Sequence, residues 1–265
     1  MKKKICFFSG DITRSGGTER VSIQLANALK QDGSFDICFL SLVEQAQKPF
    51  FELDTEIQRY HLSDKWIKPG PGYIPLIGKL KKFLKEKQID IIIDIDIVLD
   101  ILSIPAAKGL KTKVVSWEHF TVDFELSVLY RKIILNYSVK RSDFVVVLTA
   151  GDLKAYSNIL GRKNAIMQIY NPVSECFKSD TVSTKENIIL SVGRLVKEKG
   201  TEYIKKVANI VLNKYPDWQW VILGEGEERE SLLQFIIENN LKDRLILKGN
   251  VRNVWDYCKK QVFLQ

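Results

Sequence analysis

The 265-residue chain carries 40 Lys and Arg against 32 Asp and Glu, a formal charge of +8, and its 45% apolar content is ample for real cores. The length suits one large domain or two smaller ones. The basic excess is dispersed and forms no tail, which argues against nucleic acid and for an anionic small ligand or an anionic membrane surface.

Cys6, Cys38, Cys176 and Cys258 are widely spaced, with no CxxC and no histidine pattern, so neither a zinc site nor a disulfide framework is expected. Cys6 and Cys38 fall inside apolar strand-like runs and read as small buried hydrophobes, consistent with a reducing cytoplasm. The basic start Met1-Lys2-Lys3-Lys4 is followed by an apolar run too short for a signal peptide, and no run of about eighteen apolar residues could span a membrane.

In chain order, residues 5–9 read as a strand, 10–17 as a loop and 18–31 as a helix, with Thr18 as N-cap, Val21, Leu25, Ala28 and Leu29 as the buried stripe, and Asp32-Gly33 as the stop. Strands follow at 35–43 and 56–62, a helix at 76–88, strands at 89–97 and 113–117, a helix at 125–140, a strand at 143–149, a helix at 151–160 and a strand at 165–170. This alternation predicts a parallel sheet wound on both faces. Asn171-Pro172-Val173 then breaks the pattern, and the polar stretch after it reads as a linker, so the domains are expected at 1–172 and 187–265 with the linker at 173–186. The alternation resumes with strands at 187–192, 218–223 and 244–248, helices at 201–214, 227–239 and 253–259, and a strand opening at Val262. A half-domain of four strands, the last cut short, leaves an uncovered sheet edge and suggests a fragment of a longer two-domain protein.

Several strand ends carry chemistry. Gly193-Arg194-Leu195 and Lys199-Gly200 lie between a strand and a helix whose Tyr203, Ile204, Val207, Ile210 and Val211 recur at helical spacing. There helix N–H groups, a guanidinium fork and an ammonium could meet a phosphate, though a turn with two solvated cations explains the same residues. Gly16-Gly17-Thr18-Glu19-Arg20 opens the first helix, but Gly10 and Gly16 are six apart, so no dinucleotide fingerprint is present. Glu118-His119 closes the strand at 113–117, and Gly224-Glu225-Gly226 and Gly249-Asn250-Val251 follow the next two strands of the second half. Asp94-Ile95-Asp96 ends an isoleucine-rich strand and admits either a divalent-cation site, with both carboxylates on one side, or an ordinary strand end.

Taken together these motifs resemble the family 4 glycosyltransferases, retaining nucleotide-sugar enzymes of the two-domain GT-B fold, along essentially the whole chain and in the family's order. The resemblance implies an α/β fold of two Rossmann-like, doubly wound parallel-sheet domains, the second incomplete. It implies that Arg194 and Lys199 grip the donor diphosphate, with Gly193 in the same turn, and that Gly16 and Gly17 approach the donor phosphate from the other domain. His119 would contact the donor sugar or flank the reacting centre, and Gly224, Glu225, Gly249, Asn250 and Val251 would lie near the nucleoside. The family's Glu, seven residues, Glu motif belongs beyond Gln265; Glu230/Glu238 and Glu44/Glu52 reproduce the spacing at misplaced positions and read as coincidence.

The expected activity is hexosyl transfer from a nucleotide diphosphate sugar, a UDP-sugar first, to a glycan or lipid-linked acceptor in bacterial surface polysaccharide synthesis, with no cofactor and no metal. Two alternatives stand beside it: a non-catalytic nucleotide- or membrane-binding remnant, and a metal-dependent GT-A enzyme built on Asp94 and Asp96. Between Trp66 and Lys87, aromatic and apolar residues alternate with Lys79, Lys81, Lys82, Lys85 and Lys87. That stretch reads either as a helix lying on anionic lipid at the inner face of the membrane or as a packed helix with a solvated basic face.

Overall fold

The computed structural model describes residues 2–67, 70–158, 161, 165–172, 186–258 and 263–264. The chain divides into two compact units, Met1–Pro172 and Val173–Gln265. Of the expected linker, residues 173–185 lie outside the described residues, as do Ile159 and Leu160 of the helix expected at 151–160.

The first unit is built on seven parallel strands: β1 (Lys3–Ser9), β2 (Phe35–Ser41), β3 (Gln58–His61), β4 (Ile91–Ile95), β5 (Lys113–Trp117), β6 (Phe144–Val147) and β7 (Ile166–Gln168). Their order is β3-β2-β1-β4-β5-β6-β7, so the winding reverses between β1 and β4. At such a switch point the loops leaving the strand ends diverge and open a crevice for ligands. Both faces are covered, which is why the strands read as nearly continuous apolar runs.

In β1, alternate side chains serve opposite faces. Phe7 joins Phe39, Ile37 and Trp117 against Ile23 and Ala26 of α1 (Gly17–Asp32). Cys6 and Phe8 join Leu40, Ile92 and Val114 against Leu76, Leu80 and Leu84 of α2 (Ile74–Lys87) and Leu102 and Ala106 of α3 (Asp100–Ala107). Each fully buried Phe or Leu contributes roughly 1.5–3 kcal/mol of transfer free energy. A further cluster joins Leu135 and Val139 of α5 (Leu129–Arg141) to Tyr156 of α6 (Ala150–Asn158) and Val122 of α4 (Val122–Ser127).

Four local expectations need correction. Thr18 lies inside α1, whose N-cap is Gly16; the Thr18 hydroxyl donates to Glu19 Oε2 instead (2.9 Å). In the same helix Ala28 is exposed, while Ile23 and Ala26 are buried. The single helix expected at 125–140 is two, because Val128 is extended (φ −109°, ψ 115°). Ser127 Oγ donates to the Phe124 carbonyl (2.7 Å), a local bond that competes with helix propagation. Helix α3 has no counterpart in the sequence reading. It packs between α2 and α5 and is apolar nearly all round, so it lacks the polar stripe that marks a surface helix.

The second unit holds a parallel sheet ordered β10-β9-β8-β11, formed by β8 (Ile188–Val192), β9 (Gln219–Leu223), β10 (Leu245–Gly249) and β11 (Phe263–Leu264). Helices α7 (Thr201–Lys214) and α8 (Arg229–Glu238) bury Ile204, Ala208, Leu212, Leu232 and Ile236 against one face. Tyr257 and Cys258 of α9 (Val254–Cys258) pack against Leu190, Val221 and Leu223 on the other. In α7 the periodic residues divide between faces: Ile204 is buried, while Tyr203 and Ile210 are 71% and 67% exposed.

Candidate active site

In the second unit, three loops at the carboxyl ends of β8, β9 and β10 are stitched into one rim. The Gly193 N–H donates to the Leu223 carbonyl (3.0 Å), Leu195 N–H to Glu225 (2.9 Å), Glu228 N–H to Leu195 (3.0 Å) and Gly224 N–H to Gly249 (2.8 Å). Glycine is required for this closeness. Gly224 has φ 146°, and a Cβ there would stand 1.9 Å from the Gly193 carbonyl oxygen; a Cβ on Gly226 would stand 2.2 Å from that of Leu195. The strand register slips between Leu247 and Gly249, re-aiming the third loop towards the second.

Leu195 is buried and anchors its loop, which leaves Arg194 on the surface. A 3-10 turn, Lys197–Lys199, follows and closes on Gly200 (φ 76°), which is the N-cap of α7. Thr201 Oγ1 donates back to the Val196 carbonyl (3.1 Å), fixing the turn. Lys199 thus precedes the helix start. Among the described residues no ion pair engages Arg194 or Lys199. Two exposed cations beside a helix start and a closely approached glycine backbone can hold a diphosphate. Glu225 is already engaged: its carboxylate pairs with Arg229 (3.1 Å) and lies where a Cβ on Gly249 would be. Asn250 is exposed, and Val251 is half-buried against the α9 side of the sheet.

In the first unit, Gly16 and Gly17 take different parts. A Cβ on Gly16 would stand 2.1 Å from Glu19 Oε2, whereas nothing lies within 4 Å of one on Gly17. Glu19 is buried and folds over the start of α1, so the favourable position for an anion at that helix start holds the chain's own carboxylate. Gly17 remains open.

His119 follows β5 with its ring 4.6 Å from that of Trp117. Burial lowers its pKa to about 4, so the imidazole is neutral at pH 7, and its Nε2 is buried with no partner among the described residues. It can exchange a hydrogen bond with a ligand and brings no charge. Glu118 before it is 2% exposed; Oε1 accepts the Ile97 N–H (3.1 Å), and burial with nearby carboxylates pushes its pKa up.

The sequence reading kept Asp94 and Asp96 together on one side, and the structure separates them. Asp94 is fully buried, accepts from Ser103 Oγ, and is pushed up in pKa by burial and by Asp100. Asp96 lies beyond the strand in a strained backbone conformation (φ 122°). Its Oδ1 accepts from Val98 N–H (3.0 Å) and from Arg131 (2.9 Å), while Arg131 also clamps buried Glu125. That clamp was absent from the sequence reading, because Asp96 and Arg131 are 35 residues apart in the chain. Among the described residues no group of three or more His, Cys, Asp or Glu could hold a metal ion.

The family model described as Glycosyltransferase Family 4 matches residues 15–175, and the one described as Glycosyl transferases group 1 matches 174–264. The chain belongs to the family 4 glycosyltransferases. An uncharacterized glycosyltransferase of Haemophilus influenzae is 36% identical over 230 residues, 87% of this chain and 64% of that relative's length. A Campylobacter jejuni α-1,4-N-acetyl-D-galactosaminyltransferase, named for an acceptor on diNAcBac-PP-undecaprenol, is 28% identical over 95% of this chain and 69% of its own. Among solved structures, Anabaena HepE in complex with UDP and glucose superposes with a TM-score of 0.77 at 15% identity, covering 98% of this chain and 73% of that one. The fold is therefore of the GT-B kind, and the GT-A reading built on Asp94 and Asp96 is overturned by the fold and by the burial of Asp94. The chain spans a little under two thirds of the Haemophilus relative's length.

Proposed function

We propose that the chain is the donor-binding and reaction framework of a retaining glycosyltransferase that moves a hexose-type sugar from a UDP-sugar to a glycan or lipid-linked acceptor in bacterial surface polysaccharide synthesis. The observation that carries this is the stitched glycine rim with Arg194 and Lys199 exposed beside it. As the bond from sugar to phosphate breaks, negative charge grows on the leaving diphosphate, and fixed cations stabilise it as it develops. In this reading Arg194 and Lys199 do that work, and Gly193, Gly224, Gly249, Asn250 and Val251 frame the nucleotide. Neutral His119 exchanges a hydrogen bond with the donor sugar, and Gly17 leaves room for its phosphate. The acceptor hydroxyl attacks from the face the leaving group vacates and passes its proton to the leaving phosphate oxygen, without help from a metal. The names of the relatives support the substrate classes: one structural neighbour holds UDP and glucose, and one relative is named for an undecaprenol-linked acceptor.

A cytoplasmic setting with peripheral contact at the membrane goes with a lipid-linked acceptor. Leu76, Leu80 and Leu84 of α2 lie in the core, so that helix cannot insert its apolar face into lipid. The contact would be electrostatic, through exposed Lys79, Lys81, Lys82, Lys85 and Lys87, with Trp66 and Ile74 exposed beside them. No described helix is long and apolar enough to cross a membrane.

The test is a thermal-shift screen of the chain against nucleoside diphosphate sugars. A UDP-sugar should raise the midpoint, and Arg194→Ala and Lys199→Ala should each weaken that shift at least tenfold in ligand concentration. A shift that survives both substitutions would sink the assignment. Activity unchanged in EDTA is expected once a donor is identified.

A further inference from the structure

The transfer proposed above assigns no role to Cys6 or Cys38. They are direct register partners on the parallel neighbours β1 and β2. Both side chains belong to one face of the sheet, Cys6 within the apolar core and Cys38 packed against it. Opposed residues on neighbouring strands stand about 4.8 Å apart, inside the roughly 4.4–6.8 Å between Cα atoms that a disulfide spans.

The two thiols differ in access. Cys6 is fully buried, and burial followed by the neighbouring Cys38 pushes its pKa up, which suppresses its thiolate. Cys38 is half-buried. Lys87, whose ammonium stands 4.5 Å over the Tyr60 ring, interacts electrostatically with Cys38. A partly exposed thiol is the one that oxidants reach first, and an adjacent thiol that cannot be reached from solvent can resolve the product.

We propose that Cys6 and Cys38 form a reversible oxidation site in the first unit, with Cys38 as the attacking thiol and Cys6 as the resolving one, and that a hydroperoxide is the oxidant. The Cys38 thiolate attacks the peroxide, breaking the O–O bond; sulfur is oxidised to sulfenic acid, and the departing oxygen leaves as water after taking a proton. Cys6 sulfur then attacks Cys38 sulfur. The S–S bond forms, the sulfenic C–S–OH bond to oxygen breaks, and hydroxide leaves as a second water with the proton of Cys6. Two thiols and one hydrogen peroxide thus give one disulfide and two waters.

The experiment treats the intact chain with hydrogen peroxide, alkylates remaining thiols under denaturing conditions, and maps the peptides by mass. The expected result is a linked pair of peptides bearing Cys6 and Cys38, lighter by two hydrogens, with two of the four thiols lost to alkylation and both restored by dithiothreitol. Cys6→Ala, checked for folding by circular dichroism, should leave Cys38 as a sulfenic acid that dimedone captures. Four alkylated thiols after peroxide, or linkage through Cys176 or Cys258 in place of this pair, would overturn the proposal. The peptide map of the unsubstituted chain decides even where Cys6→Ala does not fold. Because none of these readouts uses donor or acceptor, the outcome is independent of the transfer reading.

Discussion

His119 shows how burial alone assigns a chemical role. Its folded pKa of about 4 lies below the ordinary 6.5, so the folded state resists protonation that the unfolded state accepts. Its contribution to stability is complete above about pH 6.5 and is lost as pH falls through the window down to about 4, a total of roughly 3 kcal/mol. Buried Asp94 and Glu118 work in the opposite sense, because their raised pKa values favour the folded state at lower pH. The measurable quantity is therefore a difference: urea unfolding of the chain and of His119→Gln at pH 7 and pH 5 should show the chain losing about 2 kcal/mol more than the variant. Equal losses would mean that the imidazole is already solvated. At the rim, Gly224→Ala must displace the Gly193 carbonyl and hold an alanine at φ 146°. It should cost on the order of 3 kcal/mol, more than backbone strain alone, and weaken nucleotide binding with it. Stability like that of the unsubstituted chain would show that the loops are not closed as described.

Among the elements, the strands and amphipathic helices were legible because burial imposes a period on the sequence. The strand at 113–117 and the helix at 201–214 coincide with β5 and α7. Where burial is complete the period vanishes, and α3 was invisible for that reason. The break between α4 and α5 was hidden too, since it lies at extended Val128 beside the Ser127 bond to the Phe124 carbonyl and carries no periodic signal, and across it Arg131 reaches back to Glu125 and over to Asp96. That clamp is testable. Arg131→Leu would leave Glu125 buried without its partner and should destabilise the chain by about 3–5 kcal/mol, whereas Arg131→Leu combined with Glu125→Leu should recover much of the loss. A single variant as stable as the parent would remove the clamp from the account of this corner. For α2, by contrast, the sequence left two readings open, and the burial of Leu76, Leu80 and Leu84 agrees with the packed helix and its solvated basic face and removes the inserted form.

For the whole molecule, electrostatic contact with a membrane predicts flotation with vesicles rich in anionic lipid and release as salt is raised. Substituting Lys81, Lys82 and Lys85 by Ser should abolish flotation, and flotation with neutral vesicles alone would count against it. The alternation of strands and helices, the break after Pro172 and the family were legible in the sequence alone. The alternation and the break follow from local periodicity and its interruption, and the family from the resemblance its motifs carry. The tertiary structure decided that three loops distant in sequence share one backbone rim, that Glu19 occupies the start of α1, that Asp94 is a core residue, that His119 is neutral, and that Cys6 faces Cys38. Those outcomes depend on which strands become neighbours and on how deeply each side chain is taken out of water, and neither quantity is a property of a residue's place in the sequence.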